Sequence, residues 1–237
     1  MKRAACLQPN FFPWIGYYEI IKFVDVFLVL DDVQYTKRDW RNKNYINFNG
    51  TKTIVTIPVE SKGKFTQKIN QTKIYGKKWF DSFFSTIKHS YGKTTHYELI
   101  LPLLKSIIRK EEIYLSKLTI ASLTEIMKFL ELKNNILLTS NYKINPDIEK
   151  NQRIIELCKR FEITNYLTGP NALDYLDPSM FKKNNISLEI AEYPKQINYV
   201  KSNSYSFINN LSIIDLLFHR GKESKMYLQE IKYKTVT

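Results

Sequence analysis

Two short segments near the start of the chain hold residue types that do chemistry. In Gln8-Pro9-Asn10-Phe11-Phe12-Pro13-Trp14-Ile15-Gly16-Tyr17, a polar pair leaves an apolar run and enters a turn shaped by prolines. With a strand ending near Leu7 and a helix starting near Trp14, Gln8 and Asn10 stand where strand ends and free helix N–H groups favour anionic ligands. Both are expected to bind substrate. Phe11, Phe12 and Trp14 suit ordinary core packing equally well, with the prolines shaping only the turn.

The second segment, Asp31-Asp32-Val33-Gln34-Tyr35-Thr36-Lys37-Arg38-Asp39-Trp40-Arg41-Asn42-Lys43-Asn44, follows the next apolar run. Adjacent carboxylates can hold a divalent cation or act as a general base, which makes Asp31 and Asp32 catalytic candidates. Lys37, Arg38 and Arg41 suit phosphate, arginine through its bidentate fork. Gln34, Asn42 and Asn44 add amides to this expected binding set. A solvated loop with internal ion pairs has the same composition.

Further along, His89 is the best placed of His89, His96 and His219 to be a general base, with Tyr91 beside it as a binding candidate. Gly169 and Asp174 follow a later predicted strand, at the sheet end where Gln8 emerges. Asp215 lies in an apolar helix, where a carboxylate needs a partner; Arg38 or Arg41 is the expected one, and Asp215 joins the candidate site on that basis.

Much is excluded. The 7 glycines leave no GxGxxG and no GxxxxGK[ST], and there is neither a GxSxG elbow nor an HExxH helix. Cys6 and Cys158 have no CxxC spacing, so both are expected to be small buried hydrophobes rather than disulfide or zinc ligands. No metal set and no cofactor motif is legible. The 36 Lys plus Arg against 23 Asp plus Glu give +13, which favours phosphate-bearing small molecules, acidic polymers or anionic surfaces. A general bias toward Lys gives the same surplus without a ligand. No window approaches the roughly 20 apolar residues of a membrane span, and the first apolar run breaks at Gln8, so a cytoplasmic location is expected.

The elements that must position these residues follow from periodicity. At 237 residues and 43% hydrophobic content, one domain over 1–237 is expected. Arg3 to Leu7, a helix from Trp14 to Phe23, and the dense apolar run Val24 to Leu30 make a βαβ unit. Asn44 to Phe48 and Thr51 to Val59 flank Asn49-Gly50, a hairpin signal over residues 44–59, with Pro58 ending the second strand or placing it at an edge. Residues 61–78 are polar and suit an exposed loop or flap. A helical insertion over 79–132 comprises Trp79–Ser90, Tyr97–Arg109, broken or kinked at Pro102, and Tyr114–Leu132. Ile136–Thr139, a helix from about Pro146 to Arg160, Thr164–Leu167, a short helix over Pro178–Lys183, and Ile186–Glu192 form a βαβαβ series. Leu211–His219 is a last buried helix, and a partly frayed tail helix starts at Lys222. The fold class is α/β, with a mainly parallel sheet of about five strands flanked by helices.

Together the two opening segments resemble the WbqC-like family, whose signature is a QPxFFPWxGY-type opening followed by DDVQYxKRxWxNRN. Here the second block ends Arg41-Asn42-Lys43-Asn44, with Lys43 in place of the usual Arg. Asn165-Tyr166-Leu167-Thr168-Gly169-Pro170, Tyr175-Leu176-Asp177 and the block from Leu211 to Gly221 match as well, so the resemblance runs over the whole chain. Many members carry His just before the opening Gln-Pro pair; this chain has Leu7, so no base role carries over there. The resemblance implies a part in O-antigen or other surface-polysaccharide synthesis.

The expected function is a transferase that modifies a nucleotide-activated amino sugar by N-acyl or aminoacyl transfer. Diphosphate would rest on Lys37, Arg38 and Arg41, and Asp31, Asp32 or His89 would take the proton of the attacking amine. The partners implied are a nucleotide-linked sugar and an acyl or aminoacyl donor. Two alternatives stand beside it. Basic charge with interleaved Tyr and Phe suits nucleic acid such as tRNA, though no RNA-binding motif is present. The other is a noncatalytic component of a polysaccharide-assembly complex. The strand-loop-helix opening is also similar to that of nucleotidylyltransferases, whose HxGH pair is absent.

Overall fold

A computed structural model of the protein describes residues 1–37, 39–108, 113–145, 148–201 and 206–236. Its centre is β1 (Arg3–Leu7), where Ala4 and Ala5 are fully buried and small enough to let helices approach from both faces. The chain returns through α1 (Ile15–Phe23) to β2 (Val26–Val29), which pairs parallel to β1 with Ala4 opposite Val26. All of β2 is buried, as a strand covered on both faces must be. β3 (Lys43–Phe48) and β4 (Thr51–Thr56) form the hairpin, outside the main sheet. Asn49 and Gly50 take φ of 48° and 80°, the paired positive angles of a type I′ turn.

The insertion supplies α2 (Trp79–Tyr91), α3 (Tyr97–Ile108) and α4 (Leu115–Phe129). Then β5 (Asn135–Leu138), α5 (Lys150–Arg160), β6 (Asn165–Thr168), α6 (Pro178–Lys183) and β7 (Ser187–Glu192) complete the parallel part. α7 (Ile213–Arg220) and β8 (Lys232–Thr235) follow. The sheet order is β5-β2-β1-β6-β7-β8, with β8 antiparallel to β7. Because successive side chains alternate across the strands, Ala5, Phe27, Val29 and Leu167 face a core shared with α1, α7 and the insertion. Ala4, Cys6, Leu28 and Tyr166 face a second core with α5 and α6.

One consequence of the order matters for function. From β1 the chain goes to β2 on one side, with β5 beyond it, while β6 and β7 lie on the other. Connections leaving β1 and β6 therefore diverge, and a crevice opens beyond their carboxyl ends.

Three expectations need correction, and one holds in part. The tail is a short 3-10 segment, Gly221–Tyr227, followed by strand β8 rather than a frayed helix; β8 is an edge whose Lys232 and Lys234 blunt further pairing. The sheet thus has 6 strands. The α3 helix is continuous through Pro102 rather than broken there. Residues 61–78 are mostly exposed, as expected, but the segment is anchored within: Ile69 is fully buried, its N–H donates to Val33 O at 2.9 Å, and Val59 bridges Ile74. Finally, α5 starts at Lys150, where Glu149 accepts the N–H of Asn151; Pro146, the expected start, lies outside the described residues. Among the described residues no helix is long and apolar enough to cross a membrane.

Candidate functional site

The turn between β1 and α1 is held from several directions. Asn44 Nδ2 donates to the carbonyls of Phe11 (3.0 Å) and Phe12 (2.8 Å), and Ser212 Oγ donates to Phe12 O at 2.7 Å. Phe12 has φ of +40°, a strained value for a side chain of its size, which these bonds and its complete burial against Phe11 and Phe83 over-determine. Phe11 N–H donates to Trp40 O at 3.1 Å, which brings the segment after β2 onto the turn. The two phenylalanines are therefore core anchors, and the polar residues of the turn are left to the crevice.

Arg41 enters that crevice. Its Nε donates to Gln8 Oε1, Nη1 to Asn10 Oδ1 at 2.7 Å, and Nη2 to Asp39 at 2.9 Å. A guanidinium has only donors, so both amides must turn their oxygens toward it. What remains are the amide N–H groups of Gln8 and Asn10, which no hydrogen bond among the described residues engages, and the spare N–H groups of Arg41. The result is a surface of donors alone. Such a surface suits phosphate or carboxylate oxygens. Burial pulls the Arg41 guanidinium below its ordinary value, opposed by Asp39 and the Tyr17 and Tyr35 hydroxyls.

These donors border a cavity of about 430 Å³ between the ends of β1 and β6. Thr168, Gly169 and Asn171 form the β6 side. The remaining walls combine the aromatic rings of Trp14, Tyr17, Trp40, Tyr175 and Tyr193 with apolar Leu7, Leu30, Pro170 and Ala172. Trp14 meets Tyr193 edge-on at 4.9 Å and lies over Gly16, where a Cβ would come within 2.3 Å of the indole. Glycine is thus required for this ring position. Burial lifts the Tyr193 hydroxyl to about 12, so it stays protonated at neutral pH. The Cys6 thiol also borders the cavity, and burial pushes it well above its ordinary value. Arg41 is the one charged side chain in the lining among the described residues.

Of the residues expected from sequence, Gln8, Asn10, Arg41 and Gly169 meet here. Asn44 supports the turn. Asp31 and Asp32 do not line the cavity: Asp31 accepts the Ser140 N–H (2.9 Å) and hydroxyl (2.6 Å), while Asp32 pairs with Arg153 at 2.7 Å and accepts from Thr139. They fasten the end of β2 to the turn after β5 and to α5. His89 is exposed on α2, its Nδ1 2.7 Å from Ser85 O, in a separate groove with Lys88, Lys93 and Lys105. Asn42 accepts the Tyr35 hydroxyl at 3.0 Å and donates to Ile57 O; Gln34 donates to Phe65 O; Lys37 lies over the Phe65 ring. Asp174 is exposed at the end of a 3-10 turn. Arg38 lies outside the described residues.

Asp215 corrects an expectation. Among the described residues its partners are the hydroxyls of Tyr91 (2.8 Å) and Tyr199 (2.7 Å) rather than Arg41, which is committed to Gln8, Asn10 and Asp39; Arg38, the other expected partner, lies outside the described residues. Tyr91 is likewise fully buried, away from the cavity. Sequence reasoning missed Tyr17, Asn171, Tyr175 and Tyr193 as lining residues. Asn171 and Tyr175 had a signal, since they follow β6 beside Gly169; Tyr193 had none. Cys6 and Cys158 are free and buried, with the Cys158 thiol raised to about 12 by burial. Among the described residues no group of His, Cys, Asp or Glu is arranged to hold a metal ion.

The model of the WbqC-like protein family matches residues 8–227. An uncharacterized protein of Mycobacterium tuberculosis is 35% identical over 230 residues, which covers 97% of this chain and 98% of that protein. No solved structure matches the chain.

Proposed function

The chain belongs to the WbqC-like protein family, and from that premise we propose that it binds a nucleotide-linked sugar in this cavity and transfers an acyl or aminoacyl group to it during surface-polysaccharide synthesis. The observation that carries the reading is the donor surface built by Arg41 on Gln8 and Asn10 at the crossover of the sheet. A diphosphate offers only acceptors there. The aromatic walls suit the flat face of a base or sugar, and the volume of about 430 Å³ falls within the range of small-molecule sites.

In this reading the lining residues bind and orient. Arg41, Gln8 and Asn10 hold the phosphate oxygens, and the amino group of the sugar attacks the acyl carbonyl of the donor. The new C–N bond forms as the donor's leaving group departs, and the amine's proton passes to that leaving group or to solvent. Asp31, Asp32 and His89, the expected bases, all lie outside the lining.

Thermal shift against UDP-, dTDP-, GDP- and CMP-sugars tests the proposal, since a ligand that binds only the folded state raises its Tm. At least one class of nucleotide sugar is expected to stabilise the wild type and not Arg41→Ala, and incubation with acyl donors should then give a product by mass spectrometry. No shift with any of them overturns the reading.

A second reading, RNA binding, draws on the groove of Lys88, Lys93 and Lys105 beside Phe84 and Tyr97. It expects RNA affinity that falls steeply with salt and disappears in K88E/K93E/K105E. Affinity unaffected by the triple change removes it.

A further inference from the structure

Beside the cavity lies a second hollow of about 470 Å³, and the two share Asn10, Trp14, Trp40 and Asn171 as a dividing ridge. Beyond the ridge the chemistry changes. The far wall is Lys52 on β4 and Asn210 before α7. Lys52 Nζ lies 4.7 Å from the centre of the Tyr45 ring, and that ring stands edge-on to Trp40 at 5.5 Å, so the hairpin fixes both the cation and the indole. Asn44 also borders the hollow, but Phe11, Phe12 and Tyr45 use its amide fully. By contrast, no hydrogen bond among the described residues engages the side chains of Asn171 or Asn210.

Free amides present a donor and an acceptor together. Hydroxyl groups need both, whereas phosphate oxygens need donors alone. The indole faces of the ridge suit the C–H face of a saturated sugar ring. We propose that the hollow is the glycosyl subsite: the ligand crosses the ridge, with its diphosphate on Arg41 and its hydroxylated ring against Lys52, Asn171 and Asn210. This rests on the reading of the first cavity as a nucleotide-sugar site and adds which end of the ligand lies where.

The test is calorimetric titration of UDP, dTDP and GDP, each alone and as its hexosamine conjugate, into wild type, Lys52→Ala, Asn210→Gly and Arg41→Ala. Lys52 is exposed and Asn210 has φ of +57°, which glycine adopts readily, so both variants should fold; circular dichroism checks this. In the wild type one conjugate is expected to bind about tenfold tighter than its bare nucleotide, the worth of one or two hydrogen bonds. Lys52→Ala and Asn210→Gly should remove that margin and leave the bare nucleotide unaffected, while Arg41→Ala weakens both. A margin that survives in Lys52→Ala and Asn210→Gly overturns the subsite, as does a wild type that binds nucleotide and conjugate equally. If the wild type binds neither, the nucleotide-sugar reading itself fails and the subsite falls with it.

Discussion

Arg41 Nη1 donates to Asn10 Oδ1 at 2.7 Å, across 31 positions of sequence, and so fixes which way the Asn10 amide faces. With Gln8 held in the same way, two amides that could each donate or accept are committed to donating into the cavity. The local charge is one cation paired with Asp39, whose carboxylate also caps the Trp40 N–H at 2.7 Å.

Arg41→Lys separates orientation from charge. An ammonium keeps the positive charge but cannot reach both amide oxygens in a fork. Ligand affinity is expected to fall about tenfold or more and stability by about 1–3 kcal/mol, as measured by calorimetry and urea unfolding. Affinity equal to wild type would mean that charge alone binds the ligand.

Gly16→Ala should act at a distance from any ligand contact. The added methyl meets the Trp14 indole and displaces it from Tyr193. Overpacking of this kind costs about 1–3 kcal/mol. A changed near-ultraviolet circular dichroism spectrum with weakened ligand binding is expected; an unchanged spectrum would show that Trp14 is not constrained there.

Asp32→Asn distinguishes support from catalysis. Breaking the Arg153 pair, whose side chains are 11% and 14% exposed, should lower stability by about 3 kcal/mol and leave nucleotide-sugar affinity near wild type. A variant of unchanged stability that has lost turnover would instead make Asp32 a catalytic group.

Two groups on α7 give opposite pH dependences. Burial raises Asp215 from 3.8 to about 6 against the two tyrosine donors, so the folded state keeps its proton longer than the unfolded chain. Its contribution is fullest below pH 3.8 and is lost as pH climbs to about 6. His219 is lowered from 6.5 to about 4 by burial, then by Arg220 and His96; its contribution is full above pH 6.5 and is lost toward pH 4. The two slopes oppose each other, so the contributions of these two groups offset one another across this window. Asp215→Asn leaves the histidine unopposed, and stability should then rise more steeply than in the wild type from pH 4 to 6.5 in urea unfolding. A profile no steeper than the wild type's contradicts the assignment.

The parts of the fold set by local rules were legible. Asn49-Gly50 can hardly be other than a type I′ turn, the unbroken apolar run of β2 marks a strand covered on both faces, and Gln8-Pro9-Asn10 marks where β1 must stop. The parts set by distant contacts were not. Lys232–Thr235 has no buried residue and alternates lysine with Tyr and Thr, so nothing local separates an edge strand from a frayed tail. The Asp215 partner Tyr91 lies 124 positions away, and the Asp32 partner Arg153 lies 121 away. Adjacent carboxylates therefore looked equally suited to catalysis and to fastening. At the site, the turn and Arg41 were legible from residue type, whereas Tyr193 joins it only because β7 lies beside β6 in the sheet.

Replacing Gln8 by glutamate probes the donor surface most directly. A carboxylate at this position still accepts from Arg41, yet it presents an acceptor where the amide presented N–H groups. Calorimetry with the stabilising nucleotide sugar is predicted to show an affinity loss of about tenfold to a hundredfold in Gln8→Glu, with Tm equal to or above wild type. Wild-type affinity in that variant would contradict the claim that Arg41 turns these amides into an anion site.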